Sequence, residues 1–410
     1  MGMGCLVFLA HGGRPVAAAA RDAQKGKHAQ GSFLSRLHSP GRPQCLACRL
    51  LFRPRMSLSI KSLNGDSSFL LVFTPPGAPP HSSPGRFPGS FTILLDPWLV
   101  GPSVVWNSAF SLSQHRRQPC ITHLQQLGLE PDLVLISQHK PDHCHEQTLR
   151  QLAPDGASIL LATPPAARKI RSWKHFRPER VHALSKYVEG HAESVYRIAL
   201  PPPTPRGTCG QVTVAWMPAR HDVSGVHHAI GITYRPPCTV LSQPSPNHYI
   251  SLPSRGTRRA LAASLCTLVP SPNNDREKTL SVLYSPHGLS YDTIRPYAAS
   301  HLVSEAALPL TVLLHSLDRV VNPWWLGGNI STGYAGGLAI AQNLYARAWI
   351  SAHDSDKDNR GWAVKRTQIV QCAVDKIEAM LAGDGSRQTK LQHTQVVRLA
   401  PGKAYGIGPG

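Results

Sequence analysis

The chain is poor in acid. Its 410 residues include 23 Asp and Glu against 43 Lys and Arg, a formal net charge of +20. That imbalance favours acidic partners such as phosphates, anionic lipid or nucleic acid without selecting among them. Nucleic acid is the least expected of these, because no basic–aromatic stripe accompanies the charge. Cysteine is scarce and odd in number at nine. This excludes a disulfide framework and points to a reducing compartment, the cytoplasm. No apolar run reaches the roughly 18 residues of a membrane-crossing helix. The 41% of hydrophobic residues is nevertheless enough for a sizeable core, which excludes wholesale disorder. Two residue types are abundant. The 37 prolines imply many loops, and the 21 histidines nearly match the acids in number. Histidine is the commonest metal ligand, so that excess is the first pointer to chemistry.

Residues 1–55 differ in character from the rest of the chain. Nine basic residues there, from Arg14 to Arg55, face the single acid Asp22. No hydrophobic period is sustained, so the segment is expected to be a disordered extension or a mis-assigned start ahead of Met56. A basic, acid-poor N-terminus is also the composition of a mitochondrial transit peptide. From Met56 short apolar runs alternate with helical ones. Strands are expected over 57–63, 68–73, 91–95, 132–137, 158–162, 195–200, 212–216, 230–234, 280–284 and 311–314. Helices are expected near 146–152, 166–173, 335–349 and 363–381. Strands first and mixed units later predict a layered α/β domain over 56–385, with two sheets covered by helices. Residues 236–279, rich in Ser, Pro and Arg, read as a disordered insertion. Residues 386–410 read as a polar tail.

The candidate chemistry centres on Ser137-Gln138-His139-Lys140-Pro141-Asp142-His143-Cys144-His145, just past the apolar run Asp132–Ser137. Side chains at strand C-termini are pinned by the sheet yet reach the surface. Asp142 and His143 can offer an oxygen and a nitrogen to one cation. Asp142 can equally cap the following helix. Histidines recur past other apolar segments: His221 after 212–216, His287 after 280–284 and His353 after 346–352. Asp96 follows the strand at 91–95. Such an arrangement converges at one sheet edge and suggests a shared metal site.

These residues resemble the metallo-β-lactamase superfamily. Within it they resemble the branch of ascorbate-phosphate lactonases and N-acyl-phosphatidylethanolamine phospholipase D. The likeness rests on Leu95-Asp96-Pro97-Trp98, Pro218-Ala219-Arg220-His221, Leu283-Tyr284-Ser285-Pro286-His287 and Ala352-His353. The stretch Trp324-Trp325-Leu326-Gly327-Gly328 resembles uncharacterised fungal members. The resemblance implies an αββα sandwich with metals at one sheet edge. The family motif reads His-x-His-x-Asp-His, and its first two histidines fall on Gln138 and Lys140 here. The third ligand of that pocket falls on His221, and Lys140 would place an ammonium where a cation normally sits. The second pocket keeps Asp142, His143 and His353, with His287 at the bridging carboxylate's position. Three nitrogens and one oxygen suit zinc or another divalent ion. The expectation is therefore a hydrolase with one ion held by Asp142, His143, His287 and His353, and by His221 if that pocket also forms. Its substrate would be an ester, lactone or phosphodiester, small and anionic in view of the basic chain. Asp142, Lys140 and His221 are the expected catalytic residues, the last two stabilising an oxyanion. The alternative is an inactive binding or scaffold protein on the same fold, supported by the missing ligands. His139 and His145 are expected to be neighbours of the site or surface residues. Trp324 and Trp325 are either core or part of a close-packed loop beside it.

Overall fold

The computed structural model describes residues 56–76, 78, 87–202, 207–222, 224–237, 279–382 and 394–409. The expected N-terminal extension and residues 238–278 of the expected insertion lie outside these. In chain order the first strands are β1 (Ser57–Ser62), β2 (Phe69–Thr74), β3 (Phe91–Leu95), β4 (Ser103–Val105), β5 (Ser111–His115), β6 (Leu133–Ile136) and β7 (Ile159–Ala162). Next come β8 (Val181–Ala183), β9 (Val195–Leu200), β10 (Gly210–Pro218), β11 (His228–Arg235), β12 (Leu280–Ser285) and β13 (Val312–His315). The last are β14 (Arg319–Val321), β15 (Asn329–Thr332), β16 (Ala348–Ser351), β17 (Lys357–Arg360), β18 (Gln368–Val370), β19 (Gln395–Val397) and β20 (Ala404–Ile407). Among the described residues five α-helices accompany them: α1 (Glu146–Leu149), α2 (Pro164–Ser172), α3 (Tyr291–Tyr297), α4 (Tyr334–Asn343) and α5 (Val374–Ala382).

Two seven-stranded sheets form, ordered β20-β1-β2-β3-β6-β7-β8 and β19-β16-β13-β12-β11-β10-β9. Each is antiparallel on one side and parallel on the other. The parallel pairs are β3-β6, β6-β7 and β7-β8 in one sheet, and β12-β13, β13-β16 and β16-β19 in the other. Period-two alternation sorts side chains to the two faces of a sheet. Leu133 and Leu135 of β6 turn inward to meet Val214, Ile232 and Tyr284 of the second sheet. Val134 and Ile136 turn outward onto Ala166, Ala167 and Ile170 of α2. On the other side Leu313 and Trp349 pack outward beneath Tyr297 of α3, Ile340 of α4 and Ile377 of α5. The result is the expected αββα sandwich.

The expected strands form within a residue or two of their predicted limits. The expected helix over 335–349 does not survive entire. It stops at Asn343, and 348–351 becomes β16, flanked by β13 and β19. A parallel strand buried on both faces is apolar throughout, so its period cannot separate it from helix. The helix and strand then pack tightly: a Cβ on Gly337 would lie 2.1 Å from the Trp349 ring. Residues 363–381 likewise split into a short 3-10 turn (Val364–Arg366), β18 and α5. The segment expected as a frayed tail instead supplies an edge strand to each sheet. β19 runs parallel to β16, and β20 pairs antiparallel with β1. Tyr405 and Ile407 of β20 pack against the central core.

Two small three-stranded sheets, β15-β14-β18 and β17-β5-β4, complete the fold. The loops after β3, β6, β12 and β16 bring Asp96, His143, His287 and His353 to one edge of the sandwich.

Candidate metal centre

Asp96 follows β3 and is fully buried, with φ at 41°. A positive φ is uncommon outside glycine and tends to be kept where function needs it. Here it turns the carboxylate across to the neighbouring loop. Oδ1 accepts the Ser137 N–H at 2.7 Å. Oδ2 accepts the Ser137 hydroxyl, the Tyr284 hydroxyl at 2.7 Å and the His143 Nδ1–H at 2.7 Å. This buried carboxylate fixes the His143 ring and leaves its Nε2 as a lone pair, the arrangement that supports metal-ligating imidazoles.

His143 itself is placed by a tight turn. Its N–H and that of Cys144 both donate to the Lys140 carbonyl, at 3.0 and 2.7 Å. The N-cap of α1 is His145, whose side chain makes no capping bond, so Asp142 does not serve as a helix cap. His287 extends from the end of β12. Its Nδ1–H donates to the Ile330 carbonyl at 3.0 Å, which again leaves Nε2 as a lone pair. Gly288 makes this turn possible: its φ is 87°, and a Cβ there would lie 1.8 Å from the Thr332 hydroxyl. His353 sits after β16 with φ at 68°, and its N–H donates to the Asp66 carbonyl at 3.2 Å.

The ligand atoms of His143, His287 and His353 all lie within 4.8 Å of one another. The Nε2 atoms of His143 and His287 are 3.2 Å apart. Two lone pairs cannot face each other at that distance without a proton or a cation between them. Two nitrogens about 2.05 Å from a tetrahedral ion would be about 3.3 Å apart, so the spacing suits a metal. Asp142 stands beside this group, its Oδ2 3.8 Å from Nε2 of both His143 and His353. The three imidazoles suit a divalent ion.

The electrostatics set His143 apart from the other two imidazoles. Burial opposes a charge on His143, but Asp142, Asp96 and the Asp96 hydrogen bond outweigh it and raise its pKa. His287 is pushed well below its ordinary value by burial, then by His353 and His143. Burial and Lys357 lower His353, partly offset by Asp66. Burial would raise Asp142, yet His143, His353 and Lys357 together lower it.

The other expected residues are placed differently. His221 is exposed in the turn after β10, with φ at 60°, and lies outside the cluster. Asp222 organises that loop by accepting the N–H groups of Ser224 and His227. As a result His227 reaches the site's wall instead, with Nδ1 3.0 Å from the Gly288 carbonyl and Nε2 2.8 Å from that of Asn329. Lys140 makes no side-chain ion pair among the described residues. The ammonium beside the cluster is Lys357 of β17, a residue that no sequence pattern marks out. Its Nζ is 2.8 Å from Asp66 Oδ2 and 3.3 Å from His353 Nδ1. Asp66 is fully buried, and Lys357 and His353 overcome the effect of burial to hold its carboxyl well below the usual range. Gln138 is buried, and neither atom of its amide has a partner. His145 is buried and bonds Thr148, while His139 is half-buried. Trp324 is 85% exposed and Trp325 47%, so neither belongs to the core.

A cavity of about 280 Å³ opens over Asp142 and His353, walled by the two small sheets. Among the described residues no helix is long and apolar enough to cross a membrane.

Residues 87–232 match a family described as the beta-lactamase superfamily domain. The match contains Asp96, Asp142 and His143 and stops before His287 and His353. Among solved structures the chain is similar to a novel metallo hydrolase from the hyperthermophilic archaeon Ignicoccus hospitalis KIN4/I. Identity is 12% and the TM-score 0.42, covering 86% of this chain and 98% of that one. No curated protein matches. The fold is an αββα sandwich of the metallo-β-lactamase type.

Proposed function

We propose that the protein is a metal-dependent hydrolase of the metallo-β-lactamase superfamily, using one divalent ion, zinc by its donor set, on an ester, lactone or phosphodiester. The observation that carries this reading is the convergence of His143, His287 and His353 within 4.8 Å at the end of three strands. The Asp96-Pro97-Trp98 turn, whose carboxylate orients His143, supports the lactonase and phospholipase D-like branch. The likeness to fungal members rests on Trp324–Gly328, and a cytoplasmic or mitochondrial location on composition alone.

His143, His287, His353 and Asp142 would hold the ion. Such an ion acidifies water and polarises the acyl or phosphoryl oxygen. The protein's own groups do the rest. Asp96 and the Ile330 carbonyl keep two imidazoles in the ligating tautomer. Asp142 is placed to take a proton from attacking water. Lys357, held against Asp66 at the cavity wall, is the ammonium beside the cluster in place of the expected Lys140 and His221.

One observation favours the alternative of an inactive binding protein. A single proton shared between His143 and His287 satisfies both Nε2 atoms with no metal present. Metal analysis of protein purified without added metal separates the readings, followed by turnover of esters, lactones and phosphodiesters. One equivalent of a divalent ion with turnover is the expected result. Neither metal nor turnover, in a folded protein, would establish the binding protein.

A further inference from the structure

The cavity over His353 has a lining unlike what the net charge of the chain suggests. Lys357 is the one Lys or Arg among its described lining residues, against the four carboxylates of Asp142, Asp318, Asp354 and Asp356. Three cations at the lining are already paired. Lys357 lies 2.8 Å from Asp66, Arg398 lies 2.6 Å from Asp318, and Arg116 lies 3.4 Å from Asp356. Away from the proposed ion, a substrate phosphate or carboxylate would find no unpaired Lys or Arg in this lining and would meet the exposed Asp356 carboxylate.

The lining offers neutral hydrogen-bonding groups instead. Ser113 donates to the Asn359 amide oxygen at 2.7 Å, and Thr367 does the same to Asn322 at 2.7 Å. Ser103 and Gln371 add a hydroxyl and an amide. Several amides, hydroxyls and carboxylates in one small space are complementary to a ligand carrying several hydroxyls, each able to donate and accept. Two half-exposed indoles, Trp325 and Trp362, have ring centroids 5.4 Å apart, and Trp362 lies two residues before Val364 of the lining. Flat aromatic faces pack well on the C–H face of a sugar ring. The nearby cation Arg366 lies 5.0 Å over Trp362 and 5.5 Å over Trp325, on the rings and outside the lining.

We propose that this cavity holds the uncharged, polyhydroxylated part of the substrate, so that the protein cleaves an ester of a sugar or polyol that bears no phosphate or carboxylate. This rests on the hydrolase reading of the metal centre. In the reaction water's oxygen bonds to the acyl carbon and the bond from that carbon to the sugar oxygen breaks. The proton lost by water ends on the departing sugar oxygen. The inference reverses the expectation of an anionic substrate drawn from the net charge.

The test uses the full chain loaded with zinc and three acetate esters: acetylated methyl glucoside, its phosphorylated counterpart and 4-nitrophenyl acetate. The neutral glucoside ester should exceed the phosphorylated one in kcat/KM by about tenfold or more. Gln371→Leu and Asn359→Leu should each raise KM for the glucoside ester by about tenfold. Both should lower kcat/KM for the glucoside ester relative to that for 4-nitrophenyl acetate, which carries no hydroxyls for the lining to hold. Preference for the phosphorylated ester, lost on Arg366→Ala, would overturn the proposal while leaving a hydrolase. If no ester turns over, the hydrolase reading fails separately. Calorimetric titration with methyl glucoside then decides for the cavity: binding weakened by Gln371→Leu supports the proposal, and no binding sinks it.

Discussion

The two flanks of the strand-end cleft are built from opposite materials. On one side His143, His287 and His353 bring three imidazoles together within 4.8 Å, with Asp142 beside them. On the other, the positions where the family resemblance places further histidines carry Gln138 and Lys140, and His221 faces solvent. A buried Asp66–Lys357 pair lies against His353, on the imidazole side. One flank concentrates lone pairs and calls for a cation. The other already contains its cation, covalently attached. The proposal of one ion thus draws on where fixed charge sits as well as on which ligands are missing.

The comparison breaks most directly at His143. His143→Ala removes the one imidazole that meets both His287 and the Asp96 carboxylate. Its effect on metal affinity should exceed the roughly 10–100-fold that loss of a supporting partner costs. Metal analysis after dialysis, with circular dichroism as a check on folding, measures it. Full metal retention in a folded variant would move the centre elsewhere.

At the Asp66–Lys357 pair the expected effect is on stability. Lys357→Met leaves the Asp66 carboxylate buried without its ammonium, which should cost about 3–5 kcal/mol in urea unfolding. Lys357→Met combined with Asp66→Asn should recover much of that loss. An unchanged midpoint in the single variant would show the pair to be solvated. A second equivalent of metal in Lys357→Met would sharpen the comparison, because the lysine would then be occupying a metal position.

Asp96→Asn tests the support of the histidine flank. The carboxylate accepts four hydrogen bonds, and an amide would turn its NH2 toward one or more of those donors. Metal affinity should fall about 10–100-fold with the fold retained. Isothermal titration with zinc distinguishes this from the complete loss expected at His143.

The strands and the Asp142-His143 pair were legible because each depends on local pattern: an apolar run, then polar residues where the run ends. His287 and His353 were legible for the same reason. What escaped depended on contacts distant in sequence. Asp96 is recognisable as a turn residue, but its hold on His143 crosses 47 positions. Lys357 lies in a polar strand, Lys-Asp-Asn-Arg, with nothing to mark it until Asp66 is brought alongside. His221 and His227 share one loop, and only the Asp222 turn decides which of them points inward. The edge strands β19 and β20 are short and partly exposed, so their composition looks like tail.

Buried histidines away from the cluster set a milder, pH-dependent effect. Burial lowers His315 to about 4, and burial likewise lowers His228 to about 4, with weaker influences from Asp96 and His143. In the unfolded chain both take up a proton near pH 6.5, while in the folded chain they stay neutral until about pH 4. The unfolded state therefore binds more protons within that window, and stability falls as pH drops from 6.5 towards 4. Each histidine contributes about 1.4 kcal/mol per pH unit there. Thermal melts at pH 7.5, 6 and 5 should show the decline, and His315→Gln should make it shallower. An equally steep decline in that variant would remove His315 from the account.

The smallest expected effect belongs to His221, and it bears on the comparison most sharply. His221 is exposed and has no part in the imidazole cluster, so His221→Ala should change metal content, melting temperature and turnover by no more than experimental scatter. Surface substitutions away from caps and networks stay within about 0.5 kcal/mol. Its φ of 60° adds a reason to compare two variants. Alanine tolerates the left-handed region poorly, whereas glycine adopts it freely. A small loss of stability in His221→Ala that His221→Gly reverses would be a backbone effect. Loss of metal in both would mean that the loop after β10 swings His221 into the cleft, and that the two flanks share ligands after all.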